Sequence, residues 1–126
     1  MCKNISVPIL EVEIVSDSEF EYGLALKIAD ACAPVLGADV GQVWVKVRRI
    51  SREEYAENGR ESPCPDQPMF VRVTKGELQG VEELRAEAEQ LTKAIAEAAD
   101  WPVENVHVIY EPSAKGRIAF GGKLVE

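Results

Sequence analysis

The sequence predicts an α+β fold in which two tandem β-α-β units form a four-stranded sheet with two helices on one face, followed by a C-terminal hairpin. Three observations lead to this prediction. Strand and helix patterns follow the order β-α-β-β-α-β, the two halves repeat the same order, and a glycine-rich segment ends the chain. Similarity at this period is typical of an internal duplication. We expect a single domain, 1–126, with repeats at about 8–59 and 68–126 joined by a loop at 51–67.

The first unit begins with a strand at 7–15, where apolar side chains alternate with glutamates. A helix should start close behind it, because Ser16 and Ser18 each stand three residues before a glutamate, the spacing of a capping box. Gly37 should end this helix, and a strand follows at 42–50. The apolar face of the helix is predicted at Phe20, Leu24, Ile28, Ala31 and Val35.

The second unit repeats this pattern with a strand at 68–74, a helix of similar length and a strand at 105–111. The apolar face of its helix is predicted at Val81, Leu84, Ala88, Leu91, Ile95 and Ala98. Strands joined through a helix should be parallel, with a right-handed crossover. Both helices would then lie on one face of the sheet. We expect oligomerisation to cover the other face.

Charge and hydropathy exclude several classes of partner. The net charge of −8 argues against nucleic acid, because such binding depends on clustered cations that release counterions from phosphates. No apolar run approaches the length of about 20 residues that spans a bilayer, so no membrane partner is expected. The N-terminal segment lacks the apolar core of a signal peptide, which predicts a cytoplasmic protein.

The cysteines argue against a metal site. Cys2, Cys32 and Cys64 are irregularly spaced, and the chain has one histidine, His107. A structural zinc site needs four close nitrogen or sulfur ligands. We therefore expect no metal, no cofactor and a reducing compartment.

The segment PVENVHVIYEPSAKGRIAFGGKLV, at 102–125, resembles the end of the 4-oxalocrotonate tautomerase family within the tautomerase superfamily. In that family a strand of the type x-V-x-V-x-x precedes A-K-G-x-F-x-x-G-G, and the spacing from Ala114 to Gly122 matches it. Residues 68–126 resemble one short subunit and residues 8–59 resemble another, with YAENG at 55–59 in place of the hairpin. The resemblance implies a tautomerase/MIF-like fold, a homotrimer, and a hairpin that reaches a neighbouring subunit's sheet edge.

The resemblance also implies catalysis by the amine of an N-terminal proline, acting as a general base or acid. Pro8 matches that position, yet seven residues precede it, and Pro68 lies within the chain. An acylated proline nitrogen cannot accept a proton. We therefore expect a scaffold for isomerases of small enol or keto acids, with absent or altered proline-based activity. Whether it is an enzyme stays open, with His107, Cys2 and Glu11 as substitute bases.

The family's substrate-binding positions also differ. The resemblance implies an arginine where Trp44 and His107 stand, and an aromatic residue where Ile118 stands, two positions before Phe120. Lys46 and Arg48 alternate on one strand face, so a small carboxylate should prefer the first unit over a second pocket, which is expected at Pro68, Arg72 and His107. The candidate catalytic residues are Pro8 and His107, and the candidate substrate-binding residues are Trp44, Lys46, Arg48, Arg72, Lys115, Arg117 and Phe120.

Two other functions fit the order of elements. One is a non-catalytic homotrimer that binds a small anion. The other is a ferredoxin-like ligand-binding module, which shares the order β-α-β-β-α-β along the chain. The hairpin and the two proline-initiated repeats favour the tautomerase scaffold over this module, although a fold by itself does not assign a function.

Overall fold

The computed structural model describes residues 8–59 and 67–126, in which six strands and two helices follow the predicted order. The first unit contains β1 (Ile9–Val15), α1 (Leu24–Leu36) and β2 (Trp44–Ile50), and the second contains β3 (Met69–Thr74), α2 (Val81–Ala99) and β4 (Val106–Tyr110). The hairpin consists of β5 (Ala119–Phe120) and β6 (Lys123–Leu124). Short 3₁₀ turns lie at Arg52–Glu54 and Val103–Asn105. Cys2 and Cys64 lie outside the described residues.

The four long strands form one sheet in the order β2-β1-β3-β4. β1 is parallel to β2, β3 is parallel to β4, and β1 is antiparallel to β3. The predicted α+β fold is therefore confirmed. Ferredoxin-like modules contain split β-α-β units, in which another strand separates the two strands of a unit. Here both units are unsplit, so the ferredoxin-like alternative is wrong.

The core lies between the sheet and the two helices. One set of alternate side chains on β1 and β3 points toward the helices and is almost fully buried, as strand periodicity requires. The helices pack against this face and against each other. The most deeply buried side chains are Leu10, Val12, Val15, Ile28, Cys32, Met69, Val71, Val73, Leu91 and Ile95. The valines of β2 pack against the same core, so the helices cover them as well.

The start of α1 differs from the prediction. The helix begins at Leu24, behind Gly23 in a left-handed conformation (φ 83°), and neither expected capping box forms. The Ser16 hydroxyl instead accepts a hydrogen bond from the Ser18 amide at 3.0 Å. This local turn competes with helix formation, as serine side chains often do. Phe20 therefore lies ahead of the helix, with 41% of its surface exposed.

The ends of the helices are as expected, but their lengths are not alike. Gly37 ends α1 in a left-handed conformation, and its amide contacts the last helical carbonyls. Asp100 ends α2 at φ 56°. The second helix has 19 residues and the first has 13, because α1 loses the turn that the serines occupy.

A buried carboxylate connects α2 to the two strands of its own unit. Glu87 is 9% exposed and accepts hydrogen bonds from Lys75 at 2.8 Å, Tyr110 at 2.7 Å and Gln79 at 3.0 Å. Burial on its own would raise the pKa of Glu87, but these hydrogen bonds and the charge of Lys75 outweigh it and lower the pKa. Burial and the bond to Glu87 raise the pKa of the Tyr110 phenol. Glu87 is thus held ionised inside the fold.

The same region anchors the base of the hairpin. The amide of Ala114 donates to the Lys75 carbonyl at 3.0 Å, and the amide of Lys115 donates to the Gly76 carbonyl at 2.9 Å. The Leu78 amide donates to the Ser113 hydroxyl at 3.0 Å. The segment after β3 therefore connects Glu87 to the hairpin that follows β4.

Within the described residues, no helix combines the length and apolar character that a membrane span requires. The described residues also contain no group of three or more His, Cys, Asp or Glu side chains able to hold a metal ion. Cys32 is fully buried, which raises the pKa of its thiol to about 12. This cysteine is therefore unsuited to thiolate chemistry.

Replacing Glu87 with glutamine should destabilise the protein by about 2 kcal/mol at neutral pH, because charge-assisted hydrogen bonds to Lys75 and Tyr110 are weakened. A carboxyl with a lowered folded pKa stabilises the fold above its ordinary value near 4.5, and this contribution is lost as the pH falls through the folded pKa. The free energies of unfolding of wild type and Glu87→Gln, measured by denaturant titration, should therefore become equal at pH values below the folded pKa of Glu87. Glu89→Gln, at an exposed position of the same helix, is the matched control. Equal stability of wild type and Glu87→Gln at pH 7 would contradict this role.

Candidate functional site

The first candidate site lies where β1 and β2 begin and where β3 and β4 end, and we call it the Pro8 end. Ile9 pairs with Trp44 on one side and with Thr74 on the other. Pro8 is buried, and its carbonyl accepts a hydrogen bond from the Trp44 amide at 3.1 Å. Two of the predicted site residues, Pro8 and Trp44, are therefore neighbours.

The hairpin brings a third candidate residue to this end. The rings of Phe120 and Trp44 meet edge to face, with centroids 5.3 Å apart and planes at 87°. Such T-shaped pairs are favourable because a positive ring edge meets a negative ring face. The resemblance implied a hairpin that reaches a neighbouring subunit. Within this single chain, Phe120 packs against its own Trp44, and the reach of the hairpin to a neighbouring subunit stays a prediction.

The turn of the hairpin requires glycine. Gly121 and Gly122 both have positive φ, at 58° and 90°, between the paired residues Phe120 and Lys123. Two-residue hairpin turns of this kind favour glycine because both central residues must be left-handed. The glycine pair that this chain shares with the family pattern therefore sets the direction in which Phe120 points.

The second candidate site lies at the opposite end of the sheet, because β3 is antiparallel to β1. We call it the Pro68 end, after a proline that is also buried. Three aromatic side chains form a row there. Tyr55 lies 6.0 Å from Phe70, and Phe70 lies 5.6 Å from His107, measured between ring centroids.

The segment that follows the last strand of each unit packs against the other unit. Tyr55, from the first unit, packs on Phe70 of the second, and Phe120, from the second unit, packs on Trp44 of the first. Tyr55 belongs to the segment 55–59, which was matched to the position of the hairpin. The Tyr55 hydroxyl donates to Glu57 at 2.7 Å, and this bond, with burial and the charge of Glu57, raises the pKa of Tyr55 to about 12.

His107 and Pro8 lie at different ends of the sheet. His107 pairs with Phe70, which lies opposite Glu13, whereas Pro8 precedes Ile9. Four residues of strand separate Ile9 from Glu13, a distance of about 13 Å. His107 and Pro8 cannot act on the same small substrate within one chain.

The sheet face turned away from the helices carries three ion pairs. Lys46 lies 3.1 Å from Glu11, Arg48 lies 2.7 Å from Glu13, and Arg72 lies 2.9 Å from Glu111. These three cations, with Glu11 and Glu13, line a shallow depression of about 180 Å³.

The pairing corrects two expectations about charge. Lys46 and Arg48 were expected to give the first unit an excess of positive charge, but β1 places a glutamate beside each of them. Arg72 was assigned to the second unit's pocket with His107. It instead lies next to Glu11 across the sheet, in the depression that contains Lys46.

The other two candidate cations hold the base of the hairpin. Lys115 pairs with Glu77 at 3.3 Å. Arg117 donates to the Ser113 carbonyl at 3.2 Å and to the Pro112 carbonyl at 3.1 Å. Their contacts are those of residues that shape the turn.

The predicted site residues did not include Tyr55, Phe70 or Glu87. Tyr55 lies in the segment already matched to the hairpin, so an aromatic at that position was a usable signal. Glu87 stands four residues before Leu91, on the apolar side of its helix, where a carboxylate needs buried partners. Nothing local in the sequence distinguishes Phe70 from a core residue.

No protein-family model matches this sequence, and no curated protein matches it. Solved structures do. The symmetric trimer of a wild-type fused 4-OT, Q0, is 17% identical with a TM-score of 0.74, over 93% of this chain and 94% of that one. Leishmania major MIF2 is 14% identical with a TM-score of 0.68, over 94% and 98%. FG41 malonate semialdehyde decarboxylase, inhibited by 3-bromopropiolate, is 14% identical with a TM-score of 0.69, over 90% and 88%. The chain therefore has the tautomerase/MIF-like fold.

Proposed function

We propose that this protein is a member of the tautomerase superfamily, built on the scaffold of isomerases of small enol or keto acids, in which proline-based activity is absent or very weak. One observation carries the proposal. Pro8 is buried immediately before β1 and next to Trp44, and its nitrogen is part of the peptide bond to Val7. An amide nitrogen has no basic lone pair.

The surroundings of Pro8 support the same conclusion. Trp44 stands where the family resemblance implies a carboxylate-binding arginine, and its indole N–H already donates to the Gly41 carbonyl at 3.0 Å. Arg72, the cation on β3 nearest to this end, is paired with Glu111. Among the residues that the structure describes, the Pro8 end has neither of the two groups that proline-based chemistry needs, a free amine and a bidentate arginine.

The protein with residues 1–7 present, confirmed by mass spectrometry, should convert the enols of phenylpyruvate and 2-hydroxymuconate no faster than Pro8→Ala. A variant whose chain begins at Pro8 should gain at most weak activity, because Trp44 replaces the arginine. Rapid turnover by the full chain that persists in Pro8→Ala would contradict the proposal and indicate a substitute base. Loss of that turnover in His107→Ala would assign the base to the Pro68 end.

A homotrimer is the proposed assembly. The helices cover one face of the sheet, and the opposite face is left with exposed ion pairs and with Ile109 of β4 at 37% exposure. A sheet of this kind usually gains a second layer. The fused 4-OT proteins of the same fold include a symmetric and an asymmetric trimer.

Light scattering at micromolar concentration should therefore give about 42 kDa, three times the chain mass of 13.9 kDa. The oligomer should persist in high salt, since apolar contacts are insensitive to screening whereas exposed ion pairs weaken. A mass of one chain across a dilution series would refute the trimer.

Binding of a small anion without catalysis is the second candidate, and one observation favours it. Three cations line a single depression on the outer face of the sheet. Each is paired, but exposed ion pairs contribute only about 0–1 kcal/mol, so exchanging a glutamate for a bound carboxylate costs little. The same glutamates repel the anion, so binding should be weak.

Calorimetry with succinate tests this candidate. We expect a dissociation constant in the millimolar range that weakens as salt is added. The double variant Lys46→Ala/Arg48→Ala should abolish the signal, whereas Lys27→Ala, a paired lysine on α1, should not change it. Unchanged affinity in the double variant would exclude the depression as the site.

A further inference from the structure

We propose that Lys123 forms, with Trp44 and Phe120, a site for the carboxylate of a small planar monoanion at the Pro8 end. The inference rests on the proposed function only in taking this end of the sheet as the ligand site. It adds a binding residue and a ligand class to that site.

Pairing in the hairpin places Lys123 on the correct face. Lys123 lies directly opposite Phe120 across the Gly121–Gly122 turn. Directly opposed residues of an antiparallel pair point to the same face, with Cβ atoms about 5 Å apart. Phe120 faces Trp44, so the amine of Lys123 extends from the same side of the hairpin. Leu124 is on the other face and is exposed.

Charge pairing distinguishes Lys123 from the other cations near this end. Arg72 and Lys115 are paired with carboxylates, and Arg117 is occupied by backbone carbonyls. The side chain of Lys123 is exposed and makes no ion pair or hydrogen bond with any described residue. Its ammonium group is available to an incoming anion without breaking an existing contact.

The aromatic pair defines the rest of the ligand. The edge-to-face arrangement leaves Trp44 with 43% of its surface exposed, which offers an apolar surface to a flat, conjugated group. The indole N–H is already satisfied by Gly41, so Trp44 supplies contact area and no free donor. One ammonium and one aromatic surface match one carboxylate on a planar group.

Calorimetry of the full chain with trans-cinnamate tests the inference. Lys123→Ala should weaken binding about fivefold, the upper range for an exposed ion pair, and Lys123→Arg should retain it. Lys93→Ala, at an exposed, unpaired position of α2, is the matched control and should bind as wild type does. Cinnamyl alcohol, which lacks the carboxylate, should bind wild type and Lys123→Ala equally weakly.

Added salt should weaken binding to wild type but not the residual binding to Lys123→Ala. Equal affinity of wild type and Lys123→Ala for cinnamate would overturn the inference, as would an absence of binding at millimolar concentration. Neither result affects the proposed lack of proline-based turnover, which the enol assay tests by itself. Rapid enol turnover together with normal cinnamate binding would refute only the proposed lack of proline-based turnover, and the proposed role of Lys123 would stand.

Discussion

The antiparallel pairing of β1 with β3 is the constraint on which the rest of the structure depends. It joins the two β-α-β units, and its register sets Ile9 against Thr74 and Ile14 against Met69. Since alternate strand residues point to opposite faces, a shift of one residue would expose the core side chains of one strand. The antiparallel direction also places the two prolines, Pro8 and Pro68, at opposite ends of the sheet. One end is formed by Pro8, Trp44 and Phe120.

The same register determines the electrostatics of the outer face. It places Glu11 of the central strand β1 between Lys46 of β2, with which Glu11 pairs, and Arg72 of β3, which pairs with Glu111. The positive charges of Lys46 and Arg48 on β2 are balanced by Glu11 and Glu13 on β1, so this surface is close to neutral. Because of this cancellation, the proposed anion site uses the ammonium group of Lys123, which lies outside the four-stranded sheet.

The hairpin shows how a buried polar group can support a surface contact. Glu87 joins α2 to Lys75 and to Tyr110 at the end of β4, and the backbone beside Lys75 receives the hairpin base. A buried carboxylate without partners would be costly, but three donors keep it ionised. The position of Phe120 over Trp44 thus depends on contacts made below the surface of the sheet.

The sequence by itself determined the order of elements, the two-unit repeat, the buried strand faces and the glycine turn, because each depends on local periodicity or on backbone conformations that glycine adopts. It misplaced the start of α1, where the Ser16 turn prevailed over the capping pattern. Pro8, Trp44 and Phe120 were identified as site residues from the sequence, but their meeting within one chain was decided only by the tertiary structure. The partners of Lys46, Arg48 and Arg72 were likewise invisible in the sequence, because strand register brings together residues far apart along the chain.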